Sequence, residues 1–384
     1  MVDYILNAVD SLQWYDLVLL GFFGFLYLLK LLYLFLFTGR ILYRRKSVQK
    51  VQVPLSLLLT YRNEEENLNN YLPQVLETLN PGSEVVAVDD YSQDNSLSVL
   101  GVLRKKQTTL IVSALNQETR YSEKMAQNIA LKAASGEWVM VIPPNLSKMC
   151  ADWLPIISSK LTNKKEVVVN YLNVNSRKNF FNLLYRNECF FQQIKSYGFI
   201  LNRLPYLNFE ENVAFRKEKY FEAGGFGRHV KEHFANLELL LNDFIKKKKT
   251  EINFCGETSI RKEMSVSKTD FFELLKKDAR IRKNLSFSKR FVLFIEKMLT
   301  LLFYVAVIFT GIYFVEFRLV ISGLILLYII AFAFIIKICL NRLNERKLFL
   351  SSLGYALFIP VLKAGYQGYF RYKSKRRQKW KNKN

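Results

Sequence analysis

Val51-Gln-Val-Pro-Leu-Ser-Leu-Leu-Leu-Thr60 runs straight into Tyr61-Arg62-Asn63 and then into three carboxylates, Glu64-Glu65-Glu66. A short apolar run rich in Leu and Val, closed by polar residues, is the pattern of a strand buried on both faces. The acidic triplet suits the positive end of a helix dipole. Leu68, Leu72, Val75, Leu76 and Leu79 then recur at helical spacing until Pro81-Gly82 breaks the helix. Working outward, Glu84-Val-Val-Ala-Val88 is a second strand, closed by Asp89-Asp90-Tyr91-Ser92-Gln93-Asp94. A helix carrying Leu97 and Leu100 follows, then a third strand, Leu110-Ile-Val112. Apolar strands alternating with helices predict a parallel sheet covered on both faces. Ligands of such sheets sit at the carboxyl ends of the strands, here Thr60 to Asn63 and Asp89 to Asp94.

Composition decides what surrounds this sheet. The 384 residues carry a net charge of +23, yet half are apolar and 15% aromatic, with 31 Phe and 21 Tyr. A disordered basic chain would be poor in these residues, so disorder is excluded as a class. The charge is segregated: residues 51–260 hold 25 basic and 23 acidic side chains, whereas residues 38–50 hold five basic and 371–384 eight, both without acids. Charge that flanks apolar segments orients a chain in a bilayer and gives no ground for a nucleic-acid partner. Cys150, Cys189, Cys255 and Cys339 are scattered, which supports neither a zinc ribbon nor a disulfide framework and fits a reducing compartment.

Leu17 to Phe37 is long enough to span a bilayer and is interrupted only by Lys30, whose stem is expected to snorkel toward the headgroups. Asp3, Asp10 and Asp16 precede it, and Arg40, Arg44, Arg45, Lys46 and Lys50 follow, the charge order of a retained anchor with its N-terminus outside. Met298 to Val315 and Leu319 to Ile336 form a hairpin of two further spans around Glu316-Phe317-Arg318. Leu348 to Leu362 is shorter and contains Pro360; it is expected to be interfacial or re-entrant, with a third C-terminal span as the alternative. The organisation expected is an anchor and basic juxtamembrane segment over 1–50, an α/β domain over 51–290 on the cytoplasmic side, and a membrane hairpin, interfacial helix and basic tail over 291–384.

TYRNEEENL after the first strand, VAVDDYSQDNS after the second, EKMAQNIALKAASGEWVMVI leading into the fourth, and NVAFRKEKYFEAGGF farther on resemble the family 2 glycosyltransferases. The resemblance covers about 51–290, and the anchor arrangement is similar to that of the family's membrane-bound bacterial members. It implies a GT-A fold, a nucleotide-sugar donor, inverting transfer to a lipid-linked or envelope saccharide, and residence in the bacterial inner membrane beside other envelope-biosynthesis proteins. The donor side maps onto Thr60, Arg62, Glu64, Asp89 and Asp90, with Lys124 facing a phosphate or else solvent. Carboxylates can accept from a pyrimidine NH or from ribose hydroxyls, while Asp94 suits the cap of the next helix.

The chain departs from the family at three places. Where a D-x-D would hold Mg²⁺ or Mn²⁺, the fourth strand ends in Pro143-Pro144-Asn145, so Asn145 alone keeps an oxygen ligand and the expected metal lacks its ligand set. Asn236 and Leu237 stand where an acidic pair should supply the base, leaving Glu238 as the nearest carboxylate. The Q-x-x-R-W segment is replaced by Lys277-Asp278-Ala279-Arg280-Ile281-Arg282-Lys283, in which Arg280 and Arg282 are candidates for the diphosphate or for anionic lipid. These losses keep open a catalytically silent homologue acting as a scaffold or glycolipid-binding partner. Glu210-Glu211 reads as an exposed turn or a displaced base. His229-Val-Lys-Glu232-His233 spells a zinc-protease pattern, with no third ligand in sight.

Overall fold

A computed structural model gives the protein over residues 12–43, 50–118, 121–230, 232 and 234–381, apart from the side chains of 122, 367 and 369–381. His233 of the zinc-protease pattern lies outside the described residues. The chain divides into two compact units: Met1–Tyr43 with Ser286–Leu340 and Arg346–Asn384, and Arg44–Leu285 with Asn341–Glu345.

Helix α1 (Trp14–Tyr33) belongs to the first unit and runs on through a π turn, Leu34–Thr38, into a 3-10 turn, Gly39–Tyr43. The second unit opens with β1 (Ser56–Tyr61), α2 (Glu65–Glu77), β2 (Glu84–Asp89), α3 (Ser96–Lys106) and β3 (Leu110–Ala114), the alternation expected from the sequence. After α4 (Ser122–Ala133) and β4 (Trp138–Val141) the elements shorten: β5 (Leu146–Lys148), α5 (Trp153–Ser158), β6 (Val167–Val169) and β7 (Leu172–Val174). A long helix α6 (Phe180–Leu201) is followed by β8 (Val213–Arg216), α7 (Lys217–Glu222), α8 (Leu237–Phe244), β9 (Thr250–Ile252), β10 (Ile260–Lys262) and α9 (Lys268–Asn284).

The main sheet has the order β3-β2-β1-β4-β8-β6-β9. The β3-β2-β1-β4 half is parallel, with Leu58 opposite Val86 on one side and Val141 on the other. β8 then runs antiparallel to both β4 and β6, so the sheet is mixed. A second sheet, β5-β10-β7, lies beyond the carboxyl end of β4. Central strands are closed to water on both faces: Leu57, Val85, Val86 and Val139 have no exposed surface. Burying each such side chain contributes about 1.5–3 kcal/mol.

The first unit is completed by α10 (Phe287–Tyr313), α11 (Arg318–Arg342) and α12 (Phe349–Lys381). Phe23, Leu26 and Tyr27 of α1 pack with Leu299 and Phe303 of α10, where the Phe23 and Phe303 rings stack at 6.4 Å. Leu17, Val18, Phe22 and Phe25 of α1, and Leu302, Val305 and Ile308 of α10, stay exposed. Four helical stretches are long and apolar enough to cross a membrane: Trp14–Tyr43, Phe287–Tyr313, Arg318–Arg342 and Arg346–Tyr366. The last continues unbroken through Pro360, as the alternative of a third C-terminal span requires. Lys30 does not snorkel. It is buried, and its ammonium donates to Thr300 Oγ1 of the neighbouring helix α10 at 2.5 Å.

Candidate active site

Two loops at the carboxyl ends of β1 and β2 are stitched to each other. Asn63 N–H donates to Ser92 Oγ at 3.0 Å, and Asn63 Oδ1 accepts from Gln93 N–H at 2.7 Å. Glu64 N–H donates to Ser96 Oγ and Glu65 N–H to Asp94, at 3.0 and 3.1 Å. Both loops turn through left-handed residues, Asn63 at φ 54° and Tyr91 at φ 61°. Asn tolerates that conformation; a bulky Tyr is strained there and is held by the surrounding bonds. Strain of this kind concentrates where a loop must present groups to a ligand.

Each residue expected on the donor side has a definite place. Thr60 lies on β1 opposite Val88. Arg62 is exposed and pairs with Glu118 at 2.8 Å. Glu64 is the N-cap residue of α2 and accepts from Asn67 Nδ2 at 2.6 Å. Asp89 is buried and accepts from the Ser92 N–H at 3.2 Å and from its hydroxyl, so it shapes the loop. Asp90 is buried beside it, its N–H on Tyr61 O at 2.8 Å. Asp94 also accepts from Ser96 N–H at 3.0 Å and caps α3, as its position implies. Lys124 is buried rather than solvated, and its ammonium donates to the carbonyls of His229 (2.7 Å) and Glu232. Burial lowers its pKa against the opposing pull of Glu232, Glu123, Glu238 and Glu210.

The centre of charge lies deeper, on α8 and α9. Ile281 of α9 packs on Ala235 and Leu239. One helical turn earlier, Lys277 therefore reaches the same neighbour, and its ammonium pairs with Glu238, which is fully buried. Glu238 also accepts from the Asn236 N–H at 2.8 Å across the start of α8. Burial opposes the charge on Lys277, but Glu238, Glu210 and Glu211 outweigh it and hold the ammonium protonated far into the alkaline range. Glu210 and Glu211 do not form an exposed turn. Glu210 is buried, accepting from Gln127 Nε2 at 2.7 Å and Leu237 N–H at 2.6 Å, while Glu211 pairs with Lys262 at 2.7 Å. Glu123, at the first turn of α4, accepts a hydrogen bond from the Asn236 side chain.

The remaining candidates lie at other places in the unit. Asn145 Nδ2 donates to Glu263 O at 2.6 Å, tying the end of β4 to the strand pair β5-β10. The Arg280 guanidinium lies 5.1 Å from the Phe234 ring centre, and Arg282 pairs with Asp278 at 2.8 Å. The structure thus gathers Asp90, Glu123, Lys124, Asn236 and Glu238 into one electrostatic neighbourhood. Lys277 and Glu123 join this neighbourhood without a role assigned from sequence patterning, and Glu210, read there as an exposed turn or a displaced base, joins it as a buried carboxylate. The signal for Lys277 was its place at the head of the basic segment 277–283, one helical turn before Ile281.

Glu210 makes a direct test of this environment. Burial first, and the Glu238 charge second, push its carboxyl well above the usual range. Below about pH 4.3 folded and unfolded chains both hold this proton; above it the unfolded chain releases it first, so stability falls with rising pH until the folded-state value is passed. E210Q is expected to remove that decline, up to about 1.4 kcal/mol per pH unit in the window. Gln127 Oε1, which has no partner, can accept from the new amide after a flip. Melting temperature against pH for both proteins checks it, and parallel profiles would refute it.

Residues 56–206 match the family model for glycosyl transferase family 2. With the mixed sheet described above, the fold is GT-A-like, as the sequence motifs implied. A mannosyltransferase from Pyrobaculum calidifontis, PcManGT, in complex with GDP-Man and Mn²⁺, is 15% identical, with 89% of this chain and 97% of that one covered and a TM-score of 0.47. S. aureus TarS 1-349 is 17% identical over 84% of this chain and 92% of its own, with a TM-score of 0.43. Glucosyl-3-phosphoglycerate synthase from Mycobacterium tuberculosis, in complex with UDP, is 14% identical over 58% and 79%, with a TM-score of 0.37. No curated protein matches the chain significantly.

Proposed function

We propose that the α/β unit is a membrane-bound, inverting glycosyltransferase. It takes a sugar from a nucleoside diphosphate sugar to a hydroxyl of a lipid-linked or envelope saccharide, at the cytoplasmic face of a bacterial inner membrane. The observation that carries this reading is the family match over 56–206, which contains the paired β1 and β2 loops with Asp89 and Asp90 at their carboxyl ends. The basic flanks after α1 and in the C-terminal tail support the orientation, since Lys and Arg are retained on the cytoplasmic side.

The residues present do not fit the family's divalent cation. Among the described residues no three His, Cys, Asp or Glu side chains converge on one point. Asn145 spends its amide on Glu263, whose carboxylate pairs with Arg177; Glu211, bridged to Val141 at the end of β4, is matched by Lys262, and Glu238 by Lys277. A hard cation needs several unencumbered oxygen ligands, which this donor set lacks. Donor binding is therefore expected to be independent of metal. Titration of the purified protein with UDP- and GDP-sugars should give the same dissociation constant, within about twofold, in Mn²⁺ and in EDTA. A tenfold loss in EDTA would overturn that expectation, and absence of both binding and transfer with every donor would overturn the transferase reading.

A second reading, a silent homologue that scaffolds an active transferase, is favoured by one observation. Glu238, the carboxylate nearest the lost base positions, is buried and ion-paired. Sugar transfer by the native protein would exclude it.

A further inference from the structure

We propose that Glu123 is the general base of this transferase, supplying from α4 the carboxylate that position 236 lacks. The proposal rests on the transferase reading and deepens it. Four carboxylates surround the start of α8, and three are already spoken for. Glu238 has no exposed surface, with Lys277 on one oxygen and the Asn236 N–H on the other. Glu210 is buried with both oxygens accepting hydrogen bonds. Glu211 is matched by Lys262. Glu123 alone of the four is exposed, and it receives the side chain of Asn236.

Asn236 cannot take a proton, but its amide can orient a carboxylate that does. The hydrogen bond between the two side chains puts the carboxylate of an exposed residue beside the position where the motif requires one. The charge of Asp90, the first residue after the donor-side β2, reaches the same carboxylate, which therefore stands near both the nucleotide loop and the start of α8. A base has to stand there, within reach of a hydroxyl that attacks the anomeric carbon from the face opposite the leaving group.

In the step, a Glu123 carboxylate oxygen accepts the proton of the acceptor hydroxyl. The hydroxyl oxygen forms the new bond to the anomeric carbon as the bond from that carbon to the nucleoside diphosphate oxygen breaks. The electron pair leaves on the diphosphate, and the proton later passes from Glu123 to water. The charged groups facing Glu123 are Glu238, Asp90, Lys277 and Lys124. Crowding of its carboxyl end and the charges of Glu238 and Asp90 hold its pKa above the ordinary glutamate value, against the pull of Asn236 and Lys277. That shift brings a carboxylate toward the working pH of a base.

The test uses the full-length protein with the nucleotide sugar that the donor screen identifies. E123Q is expected to lower kcat about 10²–10⁴-fold. Nucleotide affinity should stay within about twofold, and the acidic limb of the pH–rate profile should vanish. N236D in the E123Q background should restore part of the rate. N236D alone, which sets a second carboxylate against the first, should move the acidic limb to higher pH. An E123Q protein that binds nucleotide and transfers at the wild-type rate overturns the proposal, as does an N236D profile that does not move. If the wild type transfers nothing from any donor, the transferase reading falls, and this proposal with it.

Discussion

Replacing Glu345 with alanine is expected to lower the stability of the α/β unit by about 3–5 kcal/mol, the largest effect of any single substitution considered for this chain. Glu345 lies in the short segment between α11 and α12, yet its side chain is only 1% exposed. One carboxylate oxygen pairs with Arg186 of α6 at 2.6 Å and the other with Arg261 of β10 at 3.1 Å. Arg261 also donates to Leu343 O at 2.9 Å and lies over the Tyr171 ring at 5.2 Å. Removing the single anion leaves two buried guanidinium groups without their countercharge, a situation far more costly than the net worth of the intact pair. The neighbouring fit is equally close: a Cβ on Gly256 would come within 2.1 Å of Asn344 Nδ2. Thermal melting of E345A followed by tryptophan fluorescence checks the expectation. A shift of less than about 2 °C would refute it, since 1 kcal/mol moves the midpoint of a domain this size by about 2–4 °C.

Replacing Lys277 with methionine is expected to be the second largest effect, about 3 kcal/mol. The value sits at the lower end because the Lys277 side chain is 32% exposed, so water shares in screening it. What remains after substitution is Glu238, buried and deprived of its cation, with Glu210 close enough to raise the cost further. Lys277 is held protonated above its ordinary value. Its contribution is therefore fully present below about pH 10.4, the unfolded value, and is lost only as pH rises through the folded one. The double variant K277M/E238Q removes the stranded charge and should recover most of the loss. Chemical denaturation of the three proteins measures this, and a double variant no better than K277M would refute the charge argument.

How much of this was legible beforehand differs from element to element. β1, α2, β2, α3 and β3 could be placed because each strand is an apolar run ended by a turn signal, and each helix has its own 3.6-residue apolar face. Beyond β4 that local signal fades. β5, β6, β7, β9 and β10 are three residues long, too short for any period to register. The antiparallel turn of β8 into the sheet is a non-local pairing that no stretch of sequence encodes by itself. Asp94 as a cap was readable from residue type and position, and Glu210 as a buried carboxylate was not, because a Glu-Glu pair between loops looks solvated until its partners are known.

The sequence by itself determined the segregation of charge, the apolar segments, the first parallel strands and the order of the family motifs, since each is a local or compositional property of the chain. It also marked Pro143-Pro144-Asn145 and Asn236-Leu237 as departures from the pattern of the family it resembles. Only the tertiary structure decided what stands in those places. Residues 123, 210, 236, 238 and 277 meet because three helices and a strand-end converge, and residue 345 joins the α/β unit because Arg186 and Arg261 hold it there. Electrostatic interactions fall with distance in space and depend on burial, neither of which is a function of separation along the chain.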